Sequence, residues 1–229
     1  MAEQSGAARA RRRGRPPRDA SAPPTRDRIV DAATELFASR GIDGVSLREI
    51  AAHVGIDVSS VHHHFASKAV LYDACFARVY EHERAALESA VASVAHAAAT
   101  STASEFVASL HGLMDAFVDF LEANPHTTFL WLRRWLDPSG FTPLDEEYAL
   151  PIYAAIESAL LTATSRGLTV EATPHVTVRS LVWAVHGHIA ALSATSDPVA
   201  LTRERGEFRV YVHRVVDRLY LDPGAGSAT

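Results

Sequence analysis

Residues 26–71 read RDRIVDAATELFASRGIDGVSLREIAAHVGIDVSSVHHHFASKAVL, and their apolar residues recur with the period of α-helices. One apolar face of a first helix is formed by Ile29, Ala32, Ala33, Leu36 and Phe37. Gly41 follows this face and can adopt the positive φ that ends many helices. The opening of this segment therefore predicts an amphipathic helix that stops at Gly41.

Two shorter helices are predicted immediately afterwards. Ser46 can cap the second helix while Glu49 bonds back to the backbone N–H of the cap, which is the capping-box pattern. Gly55 ends this helix, and Asp57 is the predicted side-chain cap of a third helix of about two turns over residues 58–64. Four residues of turn between such helices are typical of a helix-turn-helix, whose second helix lies in the major groove of DNA.

The same segment, about a fifth of the chain, resembles the DNA-binding domain of the tetracycline-repressor (TetR) family. Positions that match the family pattern in order and spacing are Ala32-Ala33, Leu36-Phe37, Gly41, Ser46 to Ala51, Gly55, His64-Phe65, Ser67-Lys68 and Leu71. Two positions depart from it: Asp57 replaces the usual Ser, and His62 replaces a Tyr that typically contacts a phosphate. The resemblance implies a DNA-binding regulator in which His62 can still donate a hydrogen bond.

Polar side chains are concentrated on one side of the third helix, while Val61 and Phe65 can anchor its other side to a core. Small hydroxyls and imidazoles can approach phosphates and base edges without steric conflict. The resemblance adds Lys68, which with the start of the fourth helix can hold one phosphate. The predicted DNA contacts of this domain are Ser46, Arg48, Ser59, Ser60, His62, His63 and Lys68. The alternative is a helical hairpin that only packs.

The first 24 residues form a basic arm, although the formal net charge of the whole 229-residue chain is −5. Pro and Gly disfavour a helix here, so we expect an arm that is disordered when free. Its Arg13-Gly14-Arg15-Pro16 core looks like an AT-hook, which binds the minor groove of A·T-rich DNA. Further DNA contacts are therefore predicted at Arg11, Arg12, Arg13, Arg15 and Arg18. The alternative is a generic polybasic tail.

The rest of the chain predicts more helices and no strands, so the fold class is all-α. The predicted domains are the arm (1–24), the helix-turn-helix domain (25–71), a larger helical domain (72–221) and a disordered tail (222–229). Helices are predicted at about 67–98, 103–123, 125–136, 143–166, 173–195 and 197–221. Pro151 is expected to break or kink the helix at 143–166.

The family resemblance implies that the larger domain binds a small-molecule effector and forms a homodimer through its last two helices. Apolar stripes on these helices agree with a two-fold four-helix interface. They consist of Leu181, Val185, His188 and Leu192 on the first, and Phe208, Tyr211, Val212, Val215 and Leu219 on the second. The alternative is that both stripes serve only the core of the subunit.

An effector site would combine apolar and aromatic side chains with a few polar groups. The residues predicted to form it are His111, Met114, Phe117, Trp131, Trp135, Tyr153, Trp183 and His186. Arg133 and Arg134, beside the tryptophans, could balance an acidic ligand. For each of these residues, plain core packing is the alternative.

Motifs for other functions are missing from the sequence. His62, His63 and His64 point about 100° apart on a helix and cannot share one metal ion, and no zinc, nucleophile-elbow or phosphate-loop motif is present. We therefore expect no catalytic site, metal or cofactor. The single Cys75, the missing signal peptide and the short apolar runs predict a cytoplasmic protein that does not contact membranes.

Together these features predict a repressor that a small apolar or aromatic effector releases from a palindromic double-stranded DNA operator. The alternative is an architectural DNA-binding protein that needs no effector and depends on the basic arm.

Overall fold

The structure, a computed structural model, describes residues 24–136, 143–169 and 173–220. It begins with three short helices, α1 (Thr25–Arg40), α2 (Leu47–Val54) and α3 (Val58–His64). The all-α class is confirmed: every regular element in the described ranges is helical. The arm with Arg11, Arg12, Arg13, Arg15 and Arg18, and the tail at 222–229, lie outside these ranges.

Six more helices follow in the described ranges, and each overlaps one of those predicted. They are α4 (Lys68–Thr100), α5 (Ala103–Ala123), α6 (Pro125–Trp135), α7 (Leu150–Ser165), α8 (Pro174–Leu192) and α9 (Pro198–Tyr220). None of the described helices is long and apolar enough to cross a bilayer.

The single helix predicted over 143–166 is not regular. A π-helical turn, Asp145–Ala149, precedes α7, and Pro151 lies in the first turn of that helix. Proline has no N–H, and its ring collides with the carbonyl of the residue four positions earlier in a regular helix. The wider π turn, with an N–H···O bond from Leu150 to Asp145, relieves this crowding before α7 begins.

The apolar residues form two cores. The N-terminal core packs α1–α3 against the first turns of α4 and also includes Leu130 and Trp131 of α6. The second core joins the rest of α4 to α5, α7, α8 and α9. The predicted domain boundary at 71/72 thus lies inside α4, a 33-residue helix that contributes to both cores.

Polar contacts join α1 to α6 and to the first part of α4. Arg133 of α6 donates from Nε to the backbone oxygen of Ala38, at 2.7 Å, and from its guanidinium to the oxygen of Ser39. These carbonyls belong to the last turn of α1, where helical oxygens lack partners within the helix. Arg78 of α4 pairs with Asp27 and Asp31 of α1, at 2.5 and 2.7 Å. The orientation of α1 is therefore fixed from two sides.

Candidate nucleic-acid interface and effector cavity

The start of α2 has the predicted capping box. The N–H of Glu49 donates to the hydroxyl of Ser46 at 3.2 Å, and the N–H of Ser46 donates to the Glu49 carboxylate at 2.7 Å. The bonds that the Glu49 carboxylate accepts, from the N–H and the hydroxyl of Ser46 and from Arg40, lower the pKa of Glu49 to about 2. The Ser46 hydroxyl is therefore committed to the cap, while Arg48 is exposed on the next turn.

The turn before α3 differs from prediction in one detail. Gly55 adopts the left-handed conformation, with φ 75° and ψ 40°, as expected for the end of α2. Asp57 occupies the N-cap position of α3, but its side chain makes no capping bond. The helix starts instead on a backbone bond from the N–H of Ser60 to the oxygen of Asp57, at 2.9 Å. The predicted side-chain cap is wrong because the carboxylate of Asp57 stays in solvent.

Helix α3 has one buried and one exposed side. Val61 and, just after the helix, Phe65 are fully enclosed in the N-terminal core. Ser59, His62 and His63 are exposed, while Ser60 is half-buried. A two-turn helix whose anchors lie on one side and whose short polar side chains lie on the other has the form of a recognition helix.

A polar concave surface lies between α3 and the start of α1. It is lined by Thr25, Arg28, Gly55, Ile56, Ser59, Ser60, His63 and His64. Arg28 donates to the backbone oxygen of Val54 at 2.6 Å, which fixes the start of α1 against the end of α2. Since Thr25 lines this surface, the chain that carries the basic arm is attached at its edge.

Lys68, the predicted phosphate ligand at the start of α4, has partners within the protein. Its ammonium donates to the backbone oxygens of Ile42, at 2.8 Å, and Val45, at 3.2 Å. These bonds hold the loop between α1 and α2 against α4. A phosphate contact by Lys68 would therefore have to share this ammonium with the loop.

A cavity of about 60 Å³ lies inside the larger core. Its walls come from α4, α5, α7, α8 and α9: Glu83, Leu87, Leu110, Leu113, Met114, Phe117, Ile152, Tyr153, Ile156, Leu160, Val178, Leu181, Val182, Val216 and Tyr220. Three residues predicted for the effector site, Met114, Phe117 and Tyr153, are among them. The structure does not bring the other five to this cavity.

Four of those five form an aromatic cluster on α6 and α8. The ring of Trp135 lies 5.7 Å from that of Trp131, 4.9 Å from Trp183 and 5.0 Å from His186. Trp131 belongs to the N-terminal core, where its ring lies 4.9 Å from Phe76. The cluster thus extends from the N-terminal core to the surface, where Trp183 is 44% exposed.

His186 and His111 have structural partners. His186 is buried, with Nδ1 at 3.2 Å from the hydroxyl of Thr128, and burial lowers its pKa to about 3. His111 lies between α5 and α9, where it stacks on His213 at 4.2 Å and approaches Asp217 at 2.9 Å. Both therefore connect helices, and His186 also packs edge-on, at 5.7 Å, against Phe117 of the cavity wall.

The arginines beside the tryptophans both have partners within the protein. Arg133 binds the end of α1, and Arg134 is buried in an ion pair of 2.5 Å with Asp145. Arg134 is enclosed because the π-helical turn brings Asp145 over it.

Sequence reasoning missed Glu83. Its side chain lines the cavity, and the residue is only 9% exposed. Burial raises its pKa to about 7, and a hydrogen bond from the Trp131 side chain offsets the rise only in part. The sequence contains a clue: Val79 and Leu87, four residues before and after, are buried on the same face of α4. A glutamate on such a stripe must enter the core or bend away from it.

Helices α8 and α9 present an exposed apolar groove. It is lined by Val176, Thr177, Ser180, Leu181, Ala184, Tyr211, Val212, Val215 and Leu219. Val176 and Tyr211 are each about half exposed, whereas Val185, Leu192 and Val212 of the predicted stripes are buried in the subunit. The stripes therefore serve both the core and a free face.

Within the described ranges, no group of three or more His, Cys, Asp or Glu residues could hold a metal ion. Cys75 is buried in the N-terminal core, and burial raises the pKa of its thiol to about 12.

Comparisons with known proteins agree with this geometry. The family model described as bacterial regulatory proteins, tetR family, matches residues 29–75. A curated relative, the negative transcriptional regulator IcaR of the biofilm operon icaADBC from Staphylococcus aureus, is 42% identical over 48 residues. That match covers 21% of this chain and 26% of the relative, so the chain matches about a quarter of that protein's length.

Solved structures share the whole fold. The ketosteroid transcriptional regulator KstR2 of Mycobacterium tuberculosis has a TM-score of 0.64 and 18% identity, over 88% of this chain and 98% of that one. The TetR family transcriptional regulator PfmR of Thermus thermophilus has a TM-score of 0.56 and 22% identity, over 89% of this chain and 100% of that one. Because the sequence identities are only 18% and 22%, the similarity to these structures is one of fold alone.

Proposed function

This chain belongs to the TetR family of bacterial regulatory proteins, and we propose that it is a DNA-binding transcriptional repressor that a small apolar or aromatic effector releases from its operator. The observation that carries this proposal is the recognition-type helix α3, buried through Val61 and Phe65 and exposed through Ser59, His62 and His63. The relative IcaR is named as a negative regulator, which favours repression over activation. We expect the protein to act in the cytoplasm.

Phosphate contacts and base contacts have different sources in this chain. Helix α3 contains no Arg or Lys, so the bidentate guanine contact that most often specifies a base is missing from it. The arginines of the basic arm supply the positive charge that a phosphate backbone attracts. We propose that the arm provides much of the affinity and that α3 provides the register and the choice of sequence.

A two-fold dimer gives each operator two recognition helices. One helix of seven residues offers too small a contact for specific binding, whereas two helices in successive major grooves offer twice that contact. The apolar groove between α8 and α9 is the free face that supports this pairing. An isologous contact across it would bury Val176 and Tyr211, which are exposed in the single chain.

The cavity supports a route by which an effector could release the repressor from its operator. Glu83 and Trp131 interact, and Trp131 lies on α6, whose Arg133 holds the last turn of α1. An effector that prefers a wider cavity would shift α4 or α6 and thereby the angle of α1. A difference of about 1–3 kcal/mol in effector affinity between the two arrangements would relieve repression usefully.

Selection from random duplexes followed by footprinting tests the proposal. We expect a discrete site with two inverted half-sites about 34–36 Å apart. Replacing Ser59 and His63 together by Ala should weaken binding to this site at least tenfold, while the exposed His96→Ala in α4 should not. Diffuse protection of A·T-rich DNA, unchanged by the α3 variant, would instead favour the architectural protein driven by the arm.

A further inference from the structure

The cavity in the larger core is lined mainly by apolar side chains. Twelve of its fifteen lining residues have hydrocarbon or thioether side chains, and the others are Glu83, Tyr153 and Tyr220. Its volume of about 60 Å³ would hold a few water molecules, so a larger guest must push the walls apart. Glu83 is the one residue with a carboxyl or basic side chain in the lining.

Nothing in the described ranges neutralises the charge of the ionised Glu83 carboxyl. A buried carboxyl normally pairs with a cation or keeps its proton, because an unpaired charge is unfavourable in a medium of low polarity. The influences on the Glu83 carboxyl are burial and the Trp131 side chain, and no cation is among them. Arg134 pairs with Asp145 and Arg84 with Glu81. Arg179 of α8 acts on the neighbouring Tyr153, but it is exposed to solvent and is not among the influences on Glu83.

We propose that the effector of this cavity is a lipophilic amine, a molecule with a hydrocarbon body and a protonated nitrogen that pairs with Glu83. This inference rests on the proposed function, in which the same cavity holds the effector. The ammonium supplies the counter-charge that the chain itself does not, and the hydrocarbon body fits the walls made by Leu110, Phe117 and Ile156. A carboxylate ligand would meet a like charge whenever Glu83 is ionised, and a neutral alcohol could form only a hydrogen bond with it.

A groove on the surface gives such a molecule room for its tail. It lies between α4 and α7 and is lined by Tyr80, Arg84, Leu87, Glu88, Val91, Ala92, Ala95, Pro151, Ile152 and Ala155. Leu87 and Ile152 line both the groove and the cavity, so they form the wall between the two. Displacement of these two side chains would join the spaces, with the ammonium inside at Glu83 and the alkyl chain in the groove.

Three ten-carbon probes that differ only in their head group test the charge preference. Decylamine, decanol and decanoate are titrated into the full-length protein by calorimetry at neutral pH, below the concentrations at which they form micelles. Decylamine should bind about tenfold more tightly than either of the others, a difference of about 1.4 kcal/mol. If decanol or decanoate binds as tightly as decylamine, the preference for an amine is overturned. The proposal that the cavity is an effector site would still stand.

Two glutamine variants on the same helix assign the preference to one carboxylate. Glu83→Gln should reduce the advantage of decylamine over decanol to about twofold or less, while Glu81→Gln should keep it. Glu81 is 60% exposed and two residues away, so it controls for the general loss of an acidic charge on α4. An advantage that survives in Glu83→Gln contradicts the inference. If Glu83→Gln does not fold, the order of the three probes in the unsubstituted protein decides.

Operator binding is measured separately by fluorescence anisotropy on the selected duplex. If the amine preference depends on Glu83 but no operator is found, the proposed function fails and the binding site stands. If an operator is bound but none of the three probes binds, the inference is overturned while the DNA-binding proposal stands.

Discussion

Arg133 of α6 donates a hydrogen bond to the backbone oxygen of Ala38 in α1, 95 positions earlier in the chain, at 2.7 Å. This bond and its neighbour to Ser39 satisfy carbonyls that the last turn of α1 leaves open. Helix α6 therefore holds the end of α1 directly, and movement of α6 must reach α1.

The first prediction concerns Arg133→Ala. Loss of the two bonds should lower the free energy of unfolding by about 1–3 kcal/mol, raise amide exchange at residues 37–40 and weaken operator binding. Arg166 offers a matched control, because it binds the backbone oxygens of Ala98 and Ser101 at the end of α4 in the same manner. Arg166→Ala should lose similar stability and keep operator affinity. Equal effects of both variants on DNA binding would show that α6 does not set the angle of α1.

A second prediction follows from the raised pKa of Glu83. The carboxyl has a pKa of about 7 in the folded chain against 4.5 as the ordinary value, so the folded state holds more protons between these pH values. Stability should therefore fall as pH rises from about 4.5 to 7 and be constant above that. Glu83→Gln lacks this carboxyl and should not show the fall. The free energy of unfolding of the variant minus that of the parent should therefore rise by roughly 3 kcal/mol between pH 4.5 and 7.

Denaturant titrations from pH 4 to 8 measure this difference. Glu81→Gln, which changes an exposed carboxyl on the same helix, should show no such increase. A difference between Glu83→Gln and the parent that does not vary with pH would mean that Glu83 is solvated in the folded protein.

The local structure of this chain is predictable because it is encoded locally. The capping box of Ser46 and Glu49, the positive φ of Gly41 and Gly55 and the break near Pro151 each depend on residues within one turn. A capping bond at Asp57 was expected for the same reason and is missing, since the backbone of Ser60 starts the helix without it.

The candidate effector site was only partly predictable, because periodicity tells which face of a helix is buried and not what covers it. Trp131 was expected beside the effector, yet α6 packs on α1 and the tryptophan enters the N-terminal core beside Phe76. Glu83 was missed because a charged residue in one long helix is ordinarily solvated. Its burial depends on α7, which packs along α4, and on Trp131 of α6, and both are distant from Glu83 in sequence.

A third prediction tests the basic arm. Deletion of residues 1–20 should weaken operator binding and reduce the slope of log affinity against log salt by several units, since each phosphate contact contributes about 0.9. The six arginines of the arm set the upper limit of the change. Affinities of the two proteins from 50 to 200 mM salt give the slopes. Equal slopes would show that the arm does not contact phosphates.

The fourth prediction concerns the free face of α8 and α9. Tyr211→Glu should convert the dimer to a monomer, because a charge in the centre of an apolar interface is desolvated without a partner. Val199→Glu, at the more exposed start of α9, should leave the dimer intact. Sedimentation at micromolar concentration measures the mass, and operator affinity should fall only with Tyr211→Glu. A parent protein that sediments as a monomer both free and on its operator contradicts the two-fold arrangement.

The last prediction concerns His62, which replaces the tyrosine usual at this position of the family. The residue is exposed on α3, where a phosphate next to its imidazole would favour the protonated form. Binding would then take up a proton, so operator affinity should increase as pH falls from about 8 to 6, most strongly at low salt, where phosphate charge is least screened. His62→Tyr cannot take up this proton and should bind with a weaker dependence on pH, while His96→Ala, a change far from α3, should behave as the parent does. Affinities at each pH, measured by anisotropy on the same duplex, separate the cases. If the parent and His62→Tyr depend equally on pH, His62 does not contact a phosphate as a cation, and any uptake of protons must come from His63 or His64.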